Sequence, residues 1–389
     1  MSLPVRSGWK RMQEESKRRL YKACDELFPQ LVKTLQEIVS IPSVEGKPAL
    51  DEPFGNAVAK ALRAALQTAE SLGFKTDYGS GHVGYAQLGA QADYVAALGH
   101  LDVVPEGKGW VHDPYGGIID ETNNCMYGRG VLDNKGPILS CLFAMKAISQ
   151  AQLPQRHAIR ILFGTNEETG FRDIPVYLDK ERPPVAGFTP DCKYPVVYGE
   201  RGRLKLRLLY HGADQGVFFA FLNSYFLSGD RTGKELHIDC HDQEFGTLQM
   251  GGFRMIQEQG CPGFEVSIQY PACCSKIDLL ASIRECLIAD VELIELLHYA
   301  PVRFAKDSRL IHTLQTAYEE VTGMDGTPVT TSGGTYAKVM PNIVPFGPSF
   351  PNQKGIAHLP DEWMSLKDLK TNMKIYALAL AMLADTAEF

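Results

Sequence analysis

Residues 94–105 read Tyr94-Val95-Ala96-Ala97-Leu98-Gly99-His100-Leu101-Asp102-Val103-Val104-Pro105. A short apolar run closed by a glycine has the pattern of a strand buried on both faces, as in parallel sheets. A second such run, residues 159–163, is closed by Gly164. Between the two, residues 136–148 are apolar on most faces and read as a buried helix. Upstream, Leu27, Leu31, Leu35 and Ile38 recur at three- and four-residue spacing. That makes residues 21–39 an amphipathic helix stopped near Pro42, and residues 57–72 repeat the pattern up to Gly73. Strands alternating with helices predict an α/β domain with a mostly parallel sheet. In such sheets ligands gather beyond the C-terminal ends of the strands, so the polar residues after Leu98 and Phe163 are the first candidates for a site.

After Gly202 the texture changes. Residues 204–210 alternate apolar and basic, like a strand with one wet face, and a loop-rich region with Phe218, Phe219, Phe221, Tyr225 and Phe226 follows. Residues 264–270 read as a strand and 277–288 as a helix, which suggests a small α+β module. Helical periodicity returns at residues 310–321 and 369–383. The expected organisation is therefore one domain built from residues 1–202 and 302–389, with residues 203–301 inserted. The chain has 389 residues, 44% of them hydrophobic, so it can bury a large core without disulfides. Its formal charge of −7 argues against a general nucleic-acid binder. Residues 6–19 are charged, without the apolar core of a signal peptide, and residues 375–384 are too short to span a bilayer. The nine cysteines include no C-x-x-C pair, which predicts reduced thiols in a cytoplasmic protein, with the adjacent Cys273 and Cys274 incidental.

The chemistry-bearing residues follow the predicted strands. His100 and Asp102 lie two apart, and in extended backbone such residues point to one side. A ligand histidine commonly donates its other ring N–H to a carboxylate, so the pair suits a metal ligand with its orienting partner, although such a pair standing alone is more often a satisfied surface pair. Asp133 sits between a Gly-rich turn and the buried helix, as an N-cap or as a carboxylate able to bridge two cations. Glu167 and Glu168 are adjacent directly after the second strand. Like charges side by side need a reason, which a metal or a solvated turn can supply. Asp191, in Phe188-Thr-Pro-Asp191, and His358, in His358-Leu-Pro-Asp-Glu362, lie at further turns. Together these residues suit a hard or borderline divalent site. His82, His112, His157, His211, His298 and His312 lack patterned carboxylate neighbours. No nucleophile elbow, phosphate loop or H-E-x-x-H motif competes.

Over residues 15–202 and 302–389 the chain resembles the dinuclear zinc aminopeptidase/carboxypeptidase/aminoacylase-like metallopeptidases, and within them the dipeptidase V branch of carnosinase-like enzymes. The resemblance rests on Gly-His100-Leu-Asp102-Val-Val-Pro, Gly-Arg-Gly-Val-Leu-Asp133-Asn-Lys-Gly-Pro, Gly-Thr-Asn-Glu167-Glu168-Thr-Gly, Phe-Thr-Pro-Asp191, Gly333-Gly334-Thr335-Tyr-Ala-Lys and His358-Leu-Pro-Asp-Glu362, in the family's order. It implies a zinc-exopeptidase-like domain with an inserted lid. It also implies two divalent ions, zinc before cobalt or manganese. His100 and Asp191 would hold one ion, Glu168 and His358 the other, and Asp133 would bridge them. Asp102 would orient His100, and Glu167 would be the general base toward a metal-bridging water in dipeptide hydrolysis. Gly333, Gly334 and Thr335 would line the substrate cleft. The resemblance implies a small peptide substrate and neither nucleic acid nor membrane, and leaves the oligomeric state open. Two departures fall in residues 203–301, which are fewer than the branch implies. The lid histidine motif is absent, and Gln269-Tyr270-Pro271 stands where the family has Arg-Tyr-Pro. Gln269 can donate a hydrogen bond but cannot form a charged clamp. An N-deacylase of amino acids, or a peptide-binding relative with impaired catalysis, remains an alternative.

Overall fold

All seven residues of the strand Tyr94–His100 are buried, as an apolar run in the middle of a sheet must be. The computed structural model describes residues 13–353 and 355–389, so the start of the charged stretch 6–19 lies outside the described residues. Tyr94–His100 pairs in parallel with Ala158–Gly164 on one side and with Ala186–Thr189 on the other. Ile343–Pro345 extends the parallel set beyond Ala186–Thr189, while Val83–Leu88 and Lys75–Asp77 add two antiparallel strands at the other edge. The helices Glu14–Val39, Lys135–Gln150 and Leu366–Asp385 pack on one another, and the last two also pack on Tyr94–His100. Asn56–Ser71 packs on the antiparallel edge.

Gly99 is needed because helix and strand meet closely here. A Cβ on it would run into Asn134 Oδ1 and the Ile138 side chain. The close approach also lets Asn134 Oδ1 accept a hydrogen bond from the His100 backbone N–H at 3.3 Å. The last residue of the strand is thereby tied to the first turn of the helix that follows Asp133.

The chain divides into two compact units. The larger comprises residues up to 196, 307–327 and 340–389, and contains the sheet just described. The smaller comprises residues 197–306 and 328–339. It takes in a three-stranded ribbon of Val302–Arg303, Val197–Glu200 and Val329–Thr331 besides residues 203–301, because Val329–Thr331 pairs in parallel with Val197–Glu200. Gly333, Gly334 and Thr335 therefore fold with the smaller unit. Its main sheet is antiparallel, ordered Gln249–Glu258, Cys261–Tyr270, Gly202–Tyr210, Val291–Tyr299. Leu204, Leu206 and Leu208 are buried in its core, as their alternation predicts.

Two expectations change. The aromatic stretch is no loop: residues Gln215–Leu222 form a helix, capped by Asp214 accepting from the Gly216 N–H at 2.9 Å. Phe218, Phe221 and Phe226 enter the core while Phe219 stays half exposed. The cysteines are not all reduced either. Cys240 and Cys274 form a disulfide across 34 residues of sequence, a pairing made by the fold and invisible in the spacing. Cys24, Cys125 and Cys141 are free and buried, and Cys273 is free and exposed. No helix among the described residues is long and apolar enough to cross a membrane.

Replacing Gly99 by alanine forces the strand and the helix Lys135–Gln150 apart. Overpacking of this kind costs about 1–3 kcal/mol, so Gly99→Ala is expected to lower the urea midpoint without changing the secondary-structure content seen by circular dichroism.

Candidate metal centre

Four loops of the larger unit converge, and each begins where a parallel strand or the Gly-rich turn ends. His100 closes Tyr94–His100, Glu167 and Glu168 follow Ala158–Gly164, Asp191 follows Ala186–Thr189, and Asp133 precedes the helix Lys135–Gln150. This is where a parallel α/β sheet gathers ligands. The N-cap of that helix is Asn134, so Asp133 is not spent on capping.

The Asp133 carboxylate organises the site. Its Oδ1 lies 3.0 Å from His100 Nε2, and its Oδ2 lies 3.1 Å from His358 Nε2. On the first side, Asp191 Oδ2 lies 3.7 Å from the same nitrogen of His100. On the second, Glu168 Oε1 lies 3.0 Å from His358 Nε2. Two donor clusters result, His100–Asp133–Asp191 and Asp133–Glu168–His358, each with its ligand atoms within 4.8 Å of one another and with Asp133 in common.

Asp102 plays a broader part than orienting His100. The His100 Nδ1 lies 2.9 Å from the Asp102 backbone carbonyl and 3.5 Å from its carboxylate. The carboxylate itself accepts from the backbone N–H groups of Glu167 and Glu168, at 3.2 and 3.1 Å. One buried residue thus holds the His100 Nδ1 with its backbone carbonyl and the turn carrying both glutamates with its carboxylate.

The charges of the site follow from its burial and crowding. Burial, and then Asp191, pushes the Glu167 carboxyl well above the usual range. Burial and Asp133 push Asp191 up to about 7. Glu168 is raised by burial, against the pull of His358. Asp133 alone is held low, its burial outweighed by His100 and His358. Hydrogen bonds accepted by Asp133 and Glu168 raise His358 to about 10, and His100 is raised by Asp191 and its other carboxylate neighbours despite its burial. The two imidazoles are thus set among crowded carboxylates, whose negative charge favours a cation beside them. Two imidazoles with oxygen donors, in two clusters joined by one carboxylate, fit divalent ions by donor chemistry and by the charge they would neutralise.

Glu362 carries more of the site than its place in a motif suggested. It is fully buried, and its Oε1 accepts from the backbone N–H groups of Gly130, Leu132 and Asp133 at 3.0, 2.9 and 3.1 Å. Its Oε2 accepts from the buried Arg129 at 2.8 Å. Arg129 also donates to the Leu359 carbonyl at 3.4 Å. The pair therefore ties the Asp133 loop to the His358 loop. His112, which has no patterned carboxylate neighbour in sequence, lies with its Nδ1 3.0 Å from Asp361 of the same loop and stacks on Tyr127.

The residues expected to line the substrate cleft lie in the smaller unit. Gly333 and Gly334 are exposed, with room for a side chain at both. Thr335 is buried, and its hydroxyl donates to Glu200 Oε1 at 2.8 Å. Gln269 is half-buried and stands opposite Arg203 on one neighbouring strand and Gln249 on the other.

A family model, described as peptidase family M20/M25/M40, matches residues 96–382. A putative dipeptidase, YtjP, of Bacillus subtilis is 28% identical over 91% of this chain and 97% of its own length. The Beta-Ala-Xaa dipeptidase of Lactobacillus delbrueckii subsp. lactis is 27% identical over 92% and 97%. Both matches run over more than 450 positions, 457 and 459, so these relatives carry residues this chain of 389 lacks. Among solved structures, the di-peptidase Dug1p of Saccharomyces cerevisiae superimposes with a TM-score of 0.74 at 16% identity, covering 97% of this chain and 100% of that one. Human carnosine dipeptidase 1 gives 0.70 at 17%, covering 95% and 99%. These likenesses place the fold.

Removing Glu362 tests the tie between the loops. Glu362→Ala leaves Arg129 buried and unpaired, which costs about 3–5 kcal/mol. Glu362→Gln keeps the shape and is expected to fold, but to weaken metal binding by about 10–100-fold, read by competition with a chromophoric chelator.

Proposed function

This chain belongs to peptidase family M20/M25/M40, and from that membership we propose that it is a metal-dependent dipeptidase, with His100, Asp133, Glu168, Asp191 and His358 as its metal ligands and Glu167 as its general base. The observation that carries the reading is the Asp133 carboxylate shared between two imidazole-carboxylate clusters. Relatives bearing dipeptidase names over almost their whole length support the substrate class. In this reading His100 and Asp191 bind one ion, Glu168 and His358 the second, and Asp133 both. Zinc is the ion best suited to this mixture of imidazole and carboxylate. When bound, such ions supply Lewis acidity toward the scissile carbonyl and make a water acidic at neutral pH.

The chain's own residues do the rest. Glu167 and Glu168 are consecutive in one turn, and in this reading Glu168 coordinates while Glu167 handles protons. Glu167 takes the proton from the attacking water and returns it to the departing amine. A buried carboxylate beside the attacking water is placed both to take that proton and to return it. Asp102 keeps the base in place by accepting from both glutamate N–H groups. Gly333, Gly334, Thr335 and Gln269 are the residues that the family resemblance implies for the substrate, Gln269 with a neutral amide where the family has a charged clamp.

The test is hydrolysis of a panel of dipeptides and N-acyl amino acids by zinc-, cobalt- and manganese-loaded protein. Dipeptides are expected to be cleaved, with kcat reduced about 10²–10⁴-fold in Glu167→Gln while metal content is unchanged. Turnover confined to N-acyl amino acids would replace the dipeptidase by an N-deacylase. Equal turnover by the Glu167→Gln enzyme would remove that residue from its role.

A further inference from the structure

Outside the candidate metal centre, the smaller unit gathers three sulfurs. The Sγ atoms of Cys240, Cys273 and Cys274 all lie within 4.8 Å of one another. Cys240 and Cys274 are joined as a disulfide, and the Cys273 thiol is exposed, 3.8 Å from the Cys274 Sγ. Cys240 immediately precedes the short hairpin of His241–Asp242 and Gly246–Thr247. Cys273 and Cys274 occupy the turn between the strand Cys261–Tyr270 and the helix Lys276–Cys286, a turn closed by the Cys274 N–H donating to the Pro271 carbonyl.

We propose that these three cysteines form a thiol–disulfide exchange site, in which Cys240 is the shared partner and exposed Cys273 is the entry point for small thiols and disulfides. The internal step balances without an outside oxidant. The Cys273 thiolate attacks Cys240 Sγ, the Cys240–Cys273 bond forms as the Cys240–Cys274 bond breaks, and Cys274 leaves as a thiolate that takes up the proton Cys273 gave away. Attack on Cys274 instead would link consecutive residues, whose Cα atoms are about 3.8 Å apart and too close for ordinary disulfide geometry. The geometry therefore directs exchange to Cys240. Toward a small disulfide, the Cys273 thiolate forms a mixed disulfide and releases one equivalent of small thiol, leaving Cys240–Cys274 intact. The same chemistry in reverse restores the thiol.

The site sits on a hairpin braced by several polar contacts. Arg201 donates from its guanidinium to the carbonyls of Phe245 and Thr247 in the hairpin, at 2.7 and 3.1 Å. Thr330 Oγ1 donates to the Glu244 carbonyl at 2.7 Å. Glu244 pairs with Arg303 and Lys306 at 2.9 and 2.6 Å. The disulfide adds a covalent tie between this hairpin and the turn of Cys273 and Cys274. Exchange moves that tie by one residue, and full reduction removes it.

The experiment incubates the full chain in glutathione buffers of graded oxidised-to-reduced ratio, quenches with acid, alkylates free thiols and maps the peptides without reduction. The wild type is expected to give Cys240–Cys274, Cys240–Cys273 and glutathionylated Cys273, in proportions that move with the ratio. Cys273→Ser, at an exposed position, is expected to lose the second and third species and keep the first. Cys240→Ser is expected to lose every internal disulfide of the cluster. Cys240–Cys274 as the sole species, with Cys273 alkylated at every ratio, would overturn the proposal, as would three free thiols throughout. Retention of one equivalent of zinc or copper(I) by the reduced cluster, with no exchange products, would make it a metal site instead and equally overturn it.

Discussion

One carboxylate, that of Asp133, has an imidazole on each of its oxygens, and the larger unit is arranged to hold it there. An ionised group so placed needs opposite charge on both sides. His100 and His358 lie there, and the carboxylates around them favour their protonated forms. Around them Glu167, Glu168 and Asp191 are raised by burial and by neighbouring carboxylates, Asp133 among them. The site thus gathers acids that are costly to bury unless opposite charge lies beside them, at the ends of three buried strands.

Crowded like charges hold their positions only if the backbone beneath them is rigid. Two further carboxylates provide that rigidity without belonging to the donor clusters. Asp102 binds the two N–H groups of the glutamate turn. Glu362 binds three N–H groups of the Asp133 loop and, through Arg129, the loop of His358. Each converts a loop into a fixed platform, and the parallel strands beneath supply the common edge from which the loops rise.

The strand Tyr94–His100 was legible because burial on both faces leaves an unbroken apolar run, and His100, Asp102, Glu167 and Glu168 were legible because they follow such runs directly. Helix-forming stretches with a clear apolar stripe were read to within a few residues at most ends. What escaped was long-range. The supporting role of Glu362 depends on backbone groups some 230 positions earlier, at separations of 229 to 232 residues. The pairing of Cys240 with Cys274 and of His112 with Asp361 likewise exists only once the chain has folded. The helix Gln215–Leu222 escaped for a local reason, since a nearly continuous run of aromatic residues has no period to reveal its face. The half-buried strands Gln249–Glu258 and Val291–Tyr299 escaped because their apolar residues are interrupted, the first by Gly251-Gly252 near an irregular register.

The central claim is that one carboxylate joins two cation pockets, and metal stoichiometry tests it most directly. Chelator-stripped protein titrated with zinc in a calorimeter, with bound metal then counted by elemental analysis, is predicted to take up two ions per chain. In Asp133→Asn both sites are predicted to weaken together, because both lose the same ligand. A single ion per chain, or an Asp133→Asn protein that binds two ions as tightly as the wild type, would contradict the account.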